Sequence, residues 1–109
     1  TQAGMSIGTP AYMAPEQAAG DPHTDHRADL YAFGVMAYEL LAGRPPFSAP
    51  TPARLMAAQM SDPAPPLRDK RPDVPAPLAE LVMACLAKEP DQRPQSAADI
   101  VRVLDTVVS

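Results

Sequence analysis

The sequence has no tryptophan and only 5% aromatic residues, so its interior must be built mostly from aliphatic side chains. It has one cysteine, which excludes an internal disulfide and makes a reducing compartment the default. Positive charge is scarce: nine Lys and Arg against thirteen Asp and Glu leave a net charge of −4. The nine are scattered, and the densest group, Arg68, Lys70 and Arg71, reads as the cap of a solvated loop. Without a basic stripe to collect phosphates, nucleic acid is not an expected partner. No apolar run approaches the ~20 residues that a membrane span needs. Residues 1–5 lack the basic-then-apolar pattern of a signal peptide, so no membrane segment is expected in this chain.

What is present suits one small helical body. A length of 109 residues fits a single domain. A 46% hydrophobic content supplies a core, and 20% charged residues keep it soluble. The fifteen prolines fall singly or in pairs between apolar stretches, where they act as helix punctuation. Residues 1–24 read as loop, because Gly4, Gly8, Pro10, Pro15, Gly20 and Pro22 recur too often for long elements. A short helical turn over residues 14–19 fits there, with Pro15 at its first position.

Four helices are expected beyond that point. The first spans residues 27–42, with Asp25 as N-cap, Gly43 at the left-handed position after its end, and Pro45-Pro46 blocking continuation. Its interior, Leu30 to Leu41, is apolar on nearly every side, the mark of a buried helix. The second spans residues 52–60, with Thr51 as N-cap and a narrow stripe of Leu55, Met56 and Met60. Residues 61–76 read as an irregular proline-rich loop. The third starts at Pro77 and shows Leu78, Leu81, Val82, Cys85 and Leu86 at helical spacing. The last opens on Ser96, with Asp99 completing an acidic capping box, and lines Ile100, Val103, Leu104 and Val107 on one face. No strand is expected, so the chain is all-α. Three amphipathic helices do not cover every side of the apolar one, and further chain is expected to pack there.

Three strings carry more than structure. Gly8-Thr9-Pro10-Ala11-Tyr12-Met13-Ala14-Pro15-Glu16 is followed by Asp29-Leu30-Tyr31-Ala32-Phe33-Gly34, and then by Asp91-Gln92-Arg93-Pro94. In this order and at these separations they resemble the activation segment and helical C-lobe of Ser/Thr protein kinases. The strings 15–20 and 41–47 look particularly like the bacterial, eukaryotic-type members. The resemblance implies residues 1–24 as activation and substrate-docking segment and residues 25–109 as helical lobe of a protein-kinase-like (α+β) fold.

The resemblance also implies roles for single residues. Thr9 would contact the catalytic Asp and Lys, which would lie upstream. Ser6, Pro10 and Met13 would line an apolar pocket for the substrate residue after the phosphorylated one. Glu16 and Arg93 would form a buried bridge tying the activation segment to the lobe. Asp29 would accept backbone N–H groups of the catalytic loop, although a charge favoured at a helix N-terminus explains it equally well. Gly34, costly in mid-helix, would serve close packing. Thr1 and Ser6 are phosphorylation candidates, whose added charge would pair with an upstream Arg.

A complete enzyme of this type transfers the γ-phosphoryl group of ATP, with Mg²⁺, to Ser or Thr of protein substrates. It is cytoplasmic in this region, though an anchor could lie elsewhere. These 109 residues contain no Gly-rich loop, strand Lys, His-Arg-Asp or Asp-Phe-Gly, so neither ATP binding nor catalysis is expected of the chain alone. Its expected partners are protein substrates and the N-terminal part of the kinase domain. Two other readings stay open: a non-catalytic protein-interaction module derived from a truncated kinase or pseudokinase, and a structural helical domain with coincidental motifs. His23 and His26 read as polar surface and Cys85 as core, so no metal site is expected.

Overall fold

The computed structural model describes residues 10–108, and among these every regular element is helical. A 3-10 turn at Pro10–Tyr12 leads into the short helix α1 (Pro15–Ala18). The long helix α2 (Arg27–Ala42) follows, then α3 (Pro52–Ser61), α4 (Leu67–Lys70) and α5 (Ala76–Cys85). A second 3-10 turn, Pro90–Gln92, precedes α6 (Ala97–Val108).

The helix ends show why these segments fold as they do. Gly43 terminates α2 with φ 84°, and its N–H bonds to the Glu39 carbonyl. That left-handed conformation is strained for any residue with a Cβ. The Thr51 side chain accepts the Arg54 N–H at the start of α3. Ser96 Oγ accepts the Asp99 N–H, and Asp99 in turn accepts the Gln95 N–H, so the start of α6 is fixed from both sides. Asp25 differs from expectation. The residue flanking α2 is His26, which makes no capping bond, and Asp25 instead takes the Arg27 N–H from one position further out.

Helix α2 is the axis of the body. It packs lengthwise on α5, which carries α6, while α4 and the Pro10–Tyr12 turn close on its flanks. Tyr31, Val35 and Tyr38 meet Leu67, Val74, Val82 and Leu86 in the main core. A second cluster joins Leu30, Leu81, Cys85 and Ile100 between α2, α5 and α6. Gly34 sits at the closest approach: a Cβ built there would lie 2.6 Å from Cys85 Cβ. Only a residue without a side chain lets the two helices meet at this distance.

Two expectations are corrected. Residues 61–76 are not wholly irregular, because Leu67 is fully buried and anchors α4 within them. In α3 the buried residue is Gln59, whereas Met60 is 44% exposed. The expectation of an incompletely covered axis agrees with the exposure of Met36 (45%) and Leu40 (76%) on α2. None of the helices described is long and apolar enough to cross a membrane.

Candidate functional site

The strongest polar cluster joins the two ends of the described chain. Glu16 lies in the first turn of α1, where Pro15 sets the helical φ and the Gln17 side chain accepts the Ala14 N–H. Arg93 follows the Pro90–Gln92 turn, and Pro94 stiffens the backbone after it. The guanidinium and carboxylate make two parallel bonds, Nη1 to Oε2 at 2.6 Å and Nη2 to Oε1 at 2.7 Å. Both side chains are buried, Arg93 completely.

Arg93 has no donor to spare. Its Nε donates to the Ala87 carbonyl, Nη1 also to Arg27 and Nη2 also to Lys88. All five N–H groups of the fork are thereby used, which is what makes full burial of the cation tolerable. Its plane also lies 5.0 Å from the centre of the Tyr31 ring. Burial alone would push the Glu16 carboxyl up, but the Arg93 bonds, its own backbone N–H and the Arg93 charge outweigh this and hold it below the ordinary range.

A second cluster fixes the Pro10–Tyr12 turn. Gln59 Nε2 donates to the carbonyls of Pro10 and Ala11 at 3.1 and 2.9 Å, while the Tyr31 hydroxyl donates to Gln59 Oε1. Lys88 Nζ reaches the Gln59 carbonyl at 2.9 Å and lies 4.3 Å from the centre of the Phe47 ring. Burial pushes the Lys88 ammonium down to about 8, with Asp62 opposing the shift and Arg93 adding to it. At the outer edge the Tyr12 hydroxyl donates to Glu39 at 3.0 Å, and that bond raises the Tyr12 pKa.

The residues singled out from the sequence are placed as follows. Pro10 and Met13 are half-buried at the two ends of this turn, with the Met13 N–H directed to the Pro10 carbonyl at 3.4 Å. Thr1, Ser6 and Thr9 lie outside the described residues. Asp29 is exposed in the first turn of α2, and its carboxylate has no partner among the described residues. His26 Nε2 lies 2.7 Å from the Gln95 carbonyl, tying the start of α2 to the loop before α6. Cys85 is fully buried, and burial raises its thiol to about 11, which leaves it protonated and inert. Arg71 spends its charge on Asp73 and on the Leu41 carbonyl near the end of α2. A cleft of about 420 Å³ between α5 and α6 contains none of the residues of the Pro10–Met13 segment.

Gln59 and Lys88 escaped the sequence reading. Gln59 falls four residues after Leu55 and three after Met56, on the buried face of α3. A periodicity judged by apolar residues passes over a polar one in that position. Lys88 lies five residues before Arg93, but nothing local announces that its stem is covered.

Comparison with known proteins gives a consistent result. Residues 1–103 match the protein kinase domain family. The chain is 42% identical over 103 residues to the DNA damage-responsive serine/threonine-protein kinase RqkA of Deinococcus radiodurans, covering 94% of this chain and 15% of that protein. It is 43% identical over 109 residues to the serine/threonine-protein kinase Pkn1 of Myxococcus xanthus, covering all of this chain and 16% of that protein. It is 44% identical over 101 residues to the serine/threonine-protein kinase PknD of Mycobacterium tuberculosis, covering 92% of this chain and 15% of that protein. The chain thus spans about one sixth of the length of the curated relatives it matches.

Proposed function

Because the chain belongs to the protein kinase domain family, we propose that it forms the substrate-docking and scaffolding part of a bacterial Ser/Thr kinase. Residues 1–24 constitute the activation and docking segment, and residues 25–109 the helical lobe that carries it. The complete enzyme transfers the γ-phosphoryl group of ATP, with Mg²⁺, to Ser or Thr of protein substrates. The observation that supports this division is the Glu16–Arg93 closure, which clamps the docking segment onto the lobe. A substrate peptide needs a platform that does not yield when it binds, because positioning supplies much of the rate in phosphoryl transfer.

Pro10 and Met13 supply the apolar wall for the substrate residue that follows the phosphorylated one, a pocket to which the family motif also assigns Ser6. Thr9 contacts the catalytic groups, and Asp29 accepts N–H groups of the catalytic loop; its exposed carboxylate, without a partner among the described residues, is available for that role. The remainder of the kinase domain covers Met36 and Leu40, the uncovered apolar side of α2. ATP and Mg²⁺ belong with that remainder. Among the described residues no group of three or more His, Cys, Asp or Glu converges as a metal cage. Phosphorylation at Thr1 or Ser6 switches the segment, and the enzyme works in the cytoplasm.

Fluorescence anisotropy with two labelled Ser peptides, carrying Leu or Asp after the serine, tests the docking role. The Leu peptide should bind at least about tenfold tighter, the scale of one well-filled apolar contact. Equal binding of the two, or none, contradicts it. Calorimetric titration with Mg²⁺–ATP should give no saturable heat, and micromolar binding would overturn the division of labour.

A further inference from the structure

Gln59 is a polar side chain with no solvent exposure, on a helix face where an aliphatic residue would fill the space at lower cost. A buried amide is tolerated only when its donors and acceptor are matched. Here the match runs across elements. Oε1 receives the Tyr31 hydroxyl from α2, and both hydrogens of Nε2 go to consecutive carbonyls, Pro10 and Ala11. The main chain at Gln59 is held in turn, since Lys88 Nζ donates to its carbonyl and, at 3.4 Å, to that of Ala58. Those carbonyls belong to the last turn of α3, the negative end of the helix, which suits an ammonium.

The turn that Gln59 holds has little of its own to fix it. It is a single 3-10 turn with no buried residue, closed by one long Met13-to-Pro10 bond, and Pro10 has no N–H to offer. Its backbone direction is therefore set from beneath. We infer that Gln59 is a positioning residue of the docking segment, holding the Pro10–Ala11 carbonyls inward so that Pro10 and Met13 present a fixed apolar wall to the substrate. This rests on the docking role proposed above. It adds a residue on α3 that never touches substrate, and it makes the set of α3 against the core, held by Lys88, a determinant of substrate discrimination.

Hydrogen exchange on the intact chain tests it, with Gln59→Glu and Gln59→Leu. Gln59→Glu keeps the volume and the acceptor for Tyr31 but turns a carboxylate toward two carbonyls, while Gln59→Leu removes all three bonds. The Met13 and Ala14 amides should exchange faster in Gln59→Glu by on the order of tenfold to a hundredfold, the loss of two hydrogen bonds. Amides in the middle of α2 should be unchanged. Unaltered Met13 and Ala14 amides, or a uniform acceleration throughout the chain, overturns the inference, because uniform loss is what a merely structural residue would produce. If neither variant folds, the wild type decides. Its Met13 and Ala14 amides should open in step with the last turn of α3 as denaturant is added, and independent opening is a refutation. The two-peptide comparison separates the premises. A wild type that does not discriminate sinks the docking role, whereas a discriminating wild type matched by Gln59→Leu sinks only the part assigned to Gln59.

Discussion

Removing Arg93 should damage the fold badly, and it should be worse than removing its partner. Arg93→Ala strands the Glu16 carboxylate in a buried site and takes the donor from the carbonyls of Ala87 and Lys88, while that of Arg27 loses a second donor and keeps its place in the α2 ladder. Glu16→Ala strands the guanidinium but leaves it those three acceptors. Breaking a buried pair from one side costs about 3–5 kcal/mol. The orphaned carbonyls place Arg93→Ala at the upper end of that range and Glu16→Ala at the lower. For a domain near one hundred residues each kcal/mol moves the melting temperature by about 4–8 °C, so both losses are large against a total stability of about 5–15 kcal/mol. The assay is urea denaturation followed by far-UV circular dichroism on wild type, both single variants and the double variant. The double variant should be little worse than Arg93→Ala, giving a coupling of at least about 2 kcal/mol. Single effects below about 0.5 kcal/mol that simply add would refute the reasoning, since contacting buried charges cannot behave as independent sites.

Three further outcomes follow from other parts of the fold. Gly34→Ala places a methyl group 2.6 Å from Cys85 Cβ, and the forced separation of α2 and α5 should cost about 1–3 kcal/mol in the same urea assay; an unchanged midpoint would mean the helices are not in close contact. For Lys88 the native value of about 8 lies below the ordinary 10.5, so across that window the unfolded chain holds a proton the folded chain has lost. Stability at this site should therefore rise with pH from 8 to 10.5 relative to Lys88→Met, and a falling or flat difference in pH-resolved melts contradicts it. Met36→Ser combined with Leu40→Ser should leave the melting temperature within a few degrees, since both side chains are largely in water. A collapse of the fold would show that this face is covered within the chain itself.

The helical body was legible because its signals are local. Apolar spacing marked α5 and α6, and Thr51, Ser96 and Gly43 marked ends by chemistry that acts within a few residues. The all-round apolar character of α2 even announced an uncovered side, where Met36 and Leu40 stand. What stayed hidden is what depends on distant chain. Leu67 winds α4 only because a core pocket receives it. Gln59 is buried only because Tyr31 and two carbonyls from another segment meet it there. The flanking position of α2 is taken by His26, whose ring meets the Gln95 carbonyl far along the sequence, while Asp25 accepts the Arg27 N–H from one residue further out. The meeting of Glu16 and Arg93 across 77 positions was suggested by motif resemblance and by nothing in the local pattern.

The side-chain titration of Glu16, followed by carbon-detected NMR of its carboxyl group, probes the closure itself. A carboxylate clamped by Arg93 is stabilised in its charged form, so its midpoint should fall below the ordinary 4.5. The stabilisation it contributes is then present above that value and lost as the pH drops through the native midpoint. A midpoint at or above 4.5 would mean that burial prevails over the guanidinium, and the docking segment would not be held to the lobe in the way described.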